Sequence, residues 1–186
     1  MVMPLSTRRF TVDEYHRMGW VGVFHEDDRV ELLEGQIVEM SPIGPAHAGC
    51  VAALTGLLSR RGGERVVVWV QNPVDLGERS EPQPDIALLS PRADGYRTAH
   101  PRARDILLVI EVADTSREHD RDVKLPLYAE AGVPEVWLVN LTDSAVTVYR
   151  DPIGGRYATV DRARRGETVT SLRLPGVTLR VEEILG

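Results

Sequence analysis

Apolar positions along this chain follow two rhythms, and their alternation predicts the fold. Thr11 with Glu14 three residues on has the spacing of a capping box, and the spacing predicts a short helix to about Met18. After a polar loop at 25–28, two apolar-rich runs at 29–33 and 36–40 flank Glu34-Gly35, the pattern of a β-hairpin. Strand alternation puts Glu31 and Leu33 on one face and Val30 and Leu32 on the other; an acid in such a hairpin is expected on the solvent side. Ser41-Pro-Ile-Gly-Pro45 breaks the pattern, and residues 46–61 then carry Val51, Leu54, Leu57 and Leu58 at helical spacing before Gly62-Gly63. His47 lies in the first turn of that helix, where a lone histidine reads as a cap or surface group.

Continuous apolar runs follow. Residues 64–71 (ERVVVWVQ), 85–90 (DIALLS), 105–112 (DILLVIEV) and 135–140 (EVWLVN) read as buried strands, the first expected to be covered on both faces. Between the first two, RSEPQP at 79–84 reads as a loop or irregular edge. The 91–104 loop is locally basic, with Arg97, Arg102 and Arg104 beside His100. Between the last two, a second capping-box spacing at Thr115 and Glu118 opens a helix that ends at Gly132 and is interrupted by Pro126. Either that helix kinks, or its regular part starts near Asp122; in the second case the helix dipole would lower the pKa of Lys124. Residues 145–150 and 156–160 form a further hairpin, 167–174 a possible strand, and 181–185 a short helix or turn. From 46 to 140 the order is helix, three strands, helix, strand, which predicts an α/β domain with a mixed central sheet flanked by helices.

Composition changes this picture in three respects. The 186 residues suit one domain, 1–186, with its core at about 46–140. Net charge is −6, against a protein that coats nucleic acid non-specifically, though a local arginine patch can still meet phosphate. Cys50 is the single cysteine, so no intramolecular disulfide is possible and a cytoplasmic location is expected. No apolar run approaches the ~20 residues of a membrane span, and MVMPLSTRRF has no signal-peptide core.

The chemistry-bearing residues sit in otherwise apolar surroundings. Asp85 opens one buried strand and Glu111 closes another, and a carboxylate there needs a partner, a metal or an exposed strand end. Two such acids suit a hard cation, Mg²⁺ or Mn²⁺, and no His/Cys pattern has zinc-ligand spacing. Of the 22 basic residues, Lys124 alone is lysine. A lysine near the two acids could orient or deprotonate water, or offset phosphoryl charge.

These residues resemble the PD-(D/E)XK nuclease superfamily and, more closely, the restriction-endonuclease-like group often called the Uma family. The matching pieces are ELLEG at 31–35, MSP with a following histidine at 40–47, PDIALL at 84–89, VIEV at 109–112 and KLPLYAEAGVPEVWLVN at 124–140. The resemblance implies a metal-dependent DNA endonuclease, with Asp85 and Glu111 as metal ligands, Lys124 as the motif lysine and Glu31 as a further acid. His47 and the arginines Arg97, Arg102 and Arg104 become weaker candidates for substrate contact, and a homodimer is expected by analogy. One departure stands out: the superfamily's lysine commonly lies two residues after the acid, and that position here is Ala113. An alternative is a nuclease fold kept for binding or regulation with little or no catalysis; a lesser one is a hydrolase of nucleotides or another phosphoester.

Overall fold

The computed structural model describes residues 7–25, 27–114 and 118–186. Helix α1 (Val12–Trp20) is followed by the hairpin β1 (Val30–Leu33) and β2 (Gln36–Glu39), then α2 (Pro45–Gly62), β3 (Val67–Val70), β4 (Ile86–Leu89) and β5 (Ile106–Ala113). Helix α3 (Glu118–Glu130) and β6 (Glu135–Asn140) complete the central unit. The long hairpin β7 (Ala145–Ile153) and β8 (Arg156–Arg164), the short pair β9 (Thr168–Thr170) and β10 (Thr178–Arg180), and α4 (Val181–Leu185) close the chain.

Six strands form one mixed sheet in the order β3-β4-β5-β6-β7-β8. Only β5 and β6 are parallel, as the α3 crossover between them requires. Alternation splits each central strand between two cores. Ile86, Leu88, Leu108, Ile110, Val112, Trp137 and Val139 pack with the Val51, Leu54 and Leu58 face of α2. Ala87, Leu89, Val109 and Val136 face the other way, with Tyr128 of α3. The expected α/β order is thus observed, with a helix on each face. One detail differs: β3 is only half-buried, because it is the edge of the sheet and has a neighbour on one side alone.

Both halves of the α1 capping box form, Glu14 N to Thr11 Oγ1 at 3.2 Å and Thr11 N to Glu14 Oε2 at 3.1 Å. The Thr115 box lies outside the described residues. In the β1–β2 hairpin Glu34 and Gly35 have φ of 48° and 74°, the two positive values of the mirror-image turn that matches strand twist. Gly35 is also constrained by space, since a Cβ there would meet the Phe10 backbone at 2.8 Å. This hairpin is not part of the large sheet. It docks on the 79–83 segment through Glu81 N to Leu32 O (2.8 Å) and Gly35 N to Arg79 O (2.7 Å). That docking pairs the free edge of β1, and Glu31 and Leu32, on its opposite faces, are both buried. No helix among the described residues is long and apolar enough to cross a membrane.

Candidate active site

In the antiparallel β4–β5 pair Ile86 lies opposite Ile110, so Asp85, one residue before β4, comes beside Glu111 of β5. The Asp85 backbone N donates to Glu111 Oε2 at 3.2 Å. Asp85 Oδ2 receives the Val112 N–H at 2.9 Å and lies 2.8 Å from His47 Nε2, while Gln71 Nε2 reaches Oδ1 at 3.4 Å. Gly44 and Pro45 start α2 so that its first turn aims His47 inward. His47 is fully buried, which overturns the surface reading of this residue.

Glu111 points away from the α2 core because Ile110 and Val112 face it. Besides the Asp85 N–H, its partners come from α3 and meet Oε1. Tyr128 donates to Oε1 at 2.6 Å, and Lys124 Nζ lies 3.8 Å from the same oxygen. Lys124 and Tyr128 are one turn apart on the same helix face. Glu31 enters from β1. Its Oε2 takes the Lys124 ammonium at 2.9 Å and the Gln83 N–H at 2.9 Å, and Lys124 also reaches Gln83 O at 3.4 Å. Glu31 is 2 % exposed, so its expected solvent-side position is wrong. Four segments distant in sequence thus deliver Glu31, Asp85, Glu111 and Lys124 to one buried cluster. Lys124 reaches Glu111 from α3, while the position two residues after Glu111 on β5 is Ala113, which has no functional group.

The charges set the chemistry of the cluster. Burial pushes the Glu111 carboxyl up to about 7; Lys124 opposes the rise, Asp85 adds to it, and the Tyr128 hydrogen bond opposes it. Burial alone would lower Lys124, but Glu111 and Glu31 outweigh it and hold the ammonium above its ordinary range. The lowering suggested by a helix-start position therefore does not occur. Helix α3 begins at Glu118, which puts Lys124 in its interior, surrounded by acids. Burial and Glu111 also raise the Tyr128 hydroxyl well above its usual value, so it stays a donor.

Three carboxylates share one lysine here, leaving negative charge that a divalent cation would balance. The oxygen-rich donor set fits Mg²⁺ or Mn²⁺. Asp85 and Glu111, side by side in the β4–β5 register, would hold it.

A pH prediction follows from Glu111. Its folded-state pKa lies above the ordinary ~4.3 of an unfolded chain, so the folded protein holds the proton longer. Stability of the metal-free protein contributed by this group therefore falls as pH rises from about 4.5 to about 7, by at most ~1.4 kcal/mol per pH unit. Urea unfolding of wild type and Glu111→Gln across that window should show this slope in wild type alone. Equal slopes would place the raised carboxyl elsewhere.

The basic loop stands apart. Arg97, Arg102 and Arg104 are exposed, and none contacts the cluster among the described residues. Arg102 pairs with Asp75 at 3.3 Å, and Arg102 and Arg104 line a separate cleft of about 640 Å³ with Thr11, Asp13 and Glu78. Sequence reasoning missed Gln71, Gln83 and the Tyr128–Glu111 bond. Gln71 has φ of 50°, a left-handed conformation that turns the chain straight after β3; the following Asn72-Pro73 signals a bend, but not that the Gln71 amide would meet Asp85.

The sheet with its two helices and docked hairpin is a restriction-endonuclease-like fold. A crystal structure from Anabaena variabilis, described as "a putative nuclease belonging to DUF820", superposes with a TM-score of 0.77 at 15% identity, covering 95% of this chain and 97% of that one. At that identity the likeness shows the fold. The family follows from sequence: residues 12–182 match Uma2, described as "Putative restriction endonuclease", and the chain belongs to that family. No curated protein matches the chain.

Proposed function

We propose that the protein is a metal-dependent phosphodiesterase that cleaves DNA internally, working from the Glu31–Asp85–Glu111–Lys124 cluster. The observation that carries this reading is the charge balance: three acids, a single ammonium and a Glu111 carboxyl near 7. Asp85 and Glu111 would hold one divalent ion, Mg²⁺ or Mn²⁺, which when bound supplies Lewis-acid charge at a phosphoryl oxygen and lowers the pKa of water.

The chain's own groups have separable tasks. Lys124 keeps its proton at neutral pH, so it acts as a cation that orients water and offsets phosphoryl charge, and it does not serve as a general base. Glu31, with Gln83 behind it, fixes the ammonium. Tyr128 holds the Glu111 carboxylate, and His47 and the Val112 N–H hold that of Asp85; these are positioning residues. The family membership supports a nuclease reading. A homodimer would allow both strands to be cut, by analogy with the superfamily.

The test is incubation of the purified protein with supercoiled plasmid, linear duplex and single-stranded RNA, with Mg²⁺, Mn²⁺ or chelator. Nicked and linear plasmid should form only with metal. Salt-dependent DNA binding with no cleavage under any metal would favour instead a nuclease fold retained for binding.

A further inference from the structure

A second group of ligating side chains lies outside the carboxylate–lysine cluster. His16 of α1, Glu81 and His100 bring one ligand atom each to within 4.8 Å of one another. These residues are 65 and 19 positions apart and meet only in the fold, so the chain shows no zinc-ligand spacing. His16 Nε2 lies 2.8 Å from Glu81 Oε1, and the two imidazole rings meet edge to face at 6.2 Å. Glu81 is 4 % exposed, and His16 is the hydrogen-bond partner of its carboxylate among the described residues. A carboxylate that deeply placed usually has several donors or an ion.

The supporting backbone is fixed at all three points. Helix α1 is closed by its capping box. Glu81 is bridged to β1 by its N–H to Leu32 O. His100 precedes Pro101, whose carbonyl takes the Asp75 N–H at 2.8 Å. Two half-buried imidazoles and a buried carboxylate on anchored segments form a ligand set open on one side.

We propose that His16, Glu81 and His100 form a second metal site, for a borderline ion of the Zn²⁺ class. Two imidazole nitrogens and one carboxylate oxygen suit Zn²⁺ or Co²⁺, whereas Mg²⁺ prefers oxygen alone. The donor chemistry therefore separates this site from the oxygen-only cluster around Glu111. With bonds of roughly 2.0–2.2 Å, tetrahedral ligands stand about 3.4 Å apart. The His16–Glu81 pair must open by about half an ångström, and the wider separations must close by roughly one, movements within reach of side-chain rotation. Three protein ligands leave a coordination position for water or an external anion. The ion also ties the 91–104 loop, with its exposed arginines, to α1.

The test is a Co²⁺ titration of the full-length protein in excess Mg²⁺, read by its visible absorption and by displacement with Zn²⁺. One equivalent should bind with a tetrahedral-type spectrum. His16→Ala, Glu81→Gln and His100→Ala should each weaken binding by at least roughly a hundredfold, by analogy with the sensitivity of metal sites to their ligand shells. Zn²⁺ should raise the melting temperature of wild type and of Asp85→Asn, but not of the three variants. His16→Asn and His100→Gln serve if an alanine variant does not fold. Binding that survives in the histidine variants, binding that disappears in Asp85→Asn, or no binding at micromolar Co²⁺ would each overturn the proposal.

Discussion

Lys124→Met should unfold about 10 °C below wild type at pH 8 and lose at least a hundredfold in metal-dependent cleavage. Lys124 is 6 % exposed and serves Glu31 at 2.9 Å and Glu111 at 3.8 Å. Methionine fills similar space but leaves the acids without a counter-charge. Removing one partner of a buried ionic cluster costs about 3–5 kcal/mol, and each kcal/mol moves the midpoint by roughly 2–4 °C in a chain of this length. The deficit should shrink toward pH 5, because Glu111, already near 7 in wild type, takes up a proton more readily once the ammonium is gone. In wild type the lysine's own titration has the same sign as that of Glu111 but falls at higher pH. Its pKa is held above the unfolded value, so its contribution is complete through neutral pH and is lost only as pH rises past that raised value. Mn²⁺ should restore part of the variant's melting temperature, by replacing the missing charge, without restoring cleavage. A variant as stable as wild type at pH 8 would mean that the acids are not charged together.

Asp85→Asn should have the opposite profile: cleavage reduced by at least roughly a thousandfold with little change in stability. The Val112 N–H and His47 Nε2 converge on one oxygen, Oδ2. An asparagine can keep its carbonyl there, and Gln71, whose Nε2 donates to Oδ1 of the aspartate, can turn its own amide so that its oxygen accepts from the new NH2. The two Oδ2 hydrogen bonds survive while the charge is lost, and with it one of the two proposed metal ligands, a loss of several kcal/mol at the transition state. Asp85→Ala is the poorer probe. It leaves the buried Val112 N–H without this acceptor and mixes about 1–3 kcal/mol of destabilisation into the result. Circular dichroism and urea melts beside the plasmid assay separate the two effects. Full cleavage by Asp85→Asn would remove Asp85 from the metal site.

How much of this was legible in the residues depends on the range of the interactions. The apolar runs at 85–90, 105–112 and 135–140 became β4, β5 and β6, because strands buried on both faces carry the signal in every residue. Asp85 and Glu111 were legible as acids beside such runs. Lys124 was conspicuous by composition, and its raised pKa depends on Glu31, nearly a hundred residues earlier. Glu31 was read onto the wrong side for a related reason. Alternation states which residues share a face and not which face another segment will cover, and the cover here comes from the 79–83 segment and α3. His47 was misread because helix position alone does not reveal that Asp85 waits at the sheet end. His16, Glu81 and His100 lie on a helix, an irregular edge and a loop, where no periodic signal exists to place them.

The most direct measurement is anomalous diffraction from a crystal soaked in Mn²⁺. The account predicts a Mn²⁺ peak bonded to a carboxylate oxygen of Asp85 and one of Glu111, with the Lys124 ammonium alongside. A Mn²⁺ ion bound only elsewhere, or both carboxylates free of metal at millimolar concentration, would contradict it.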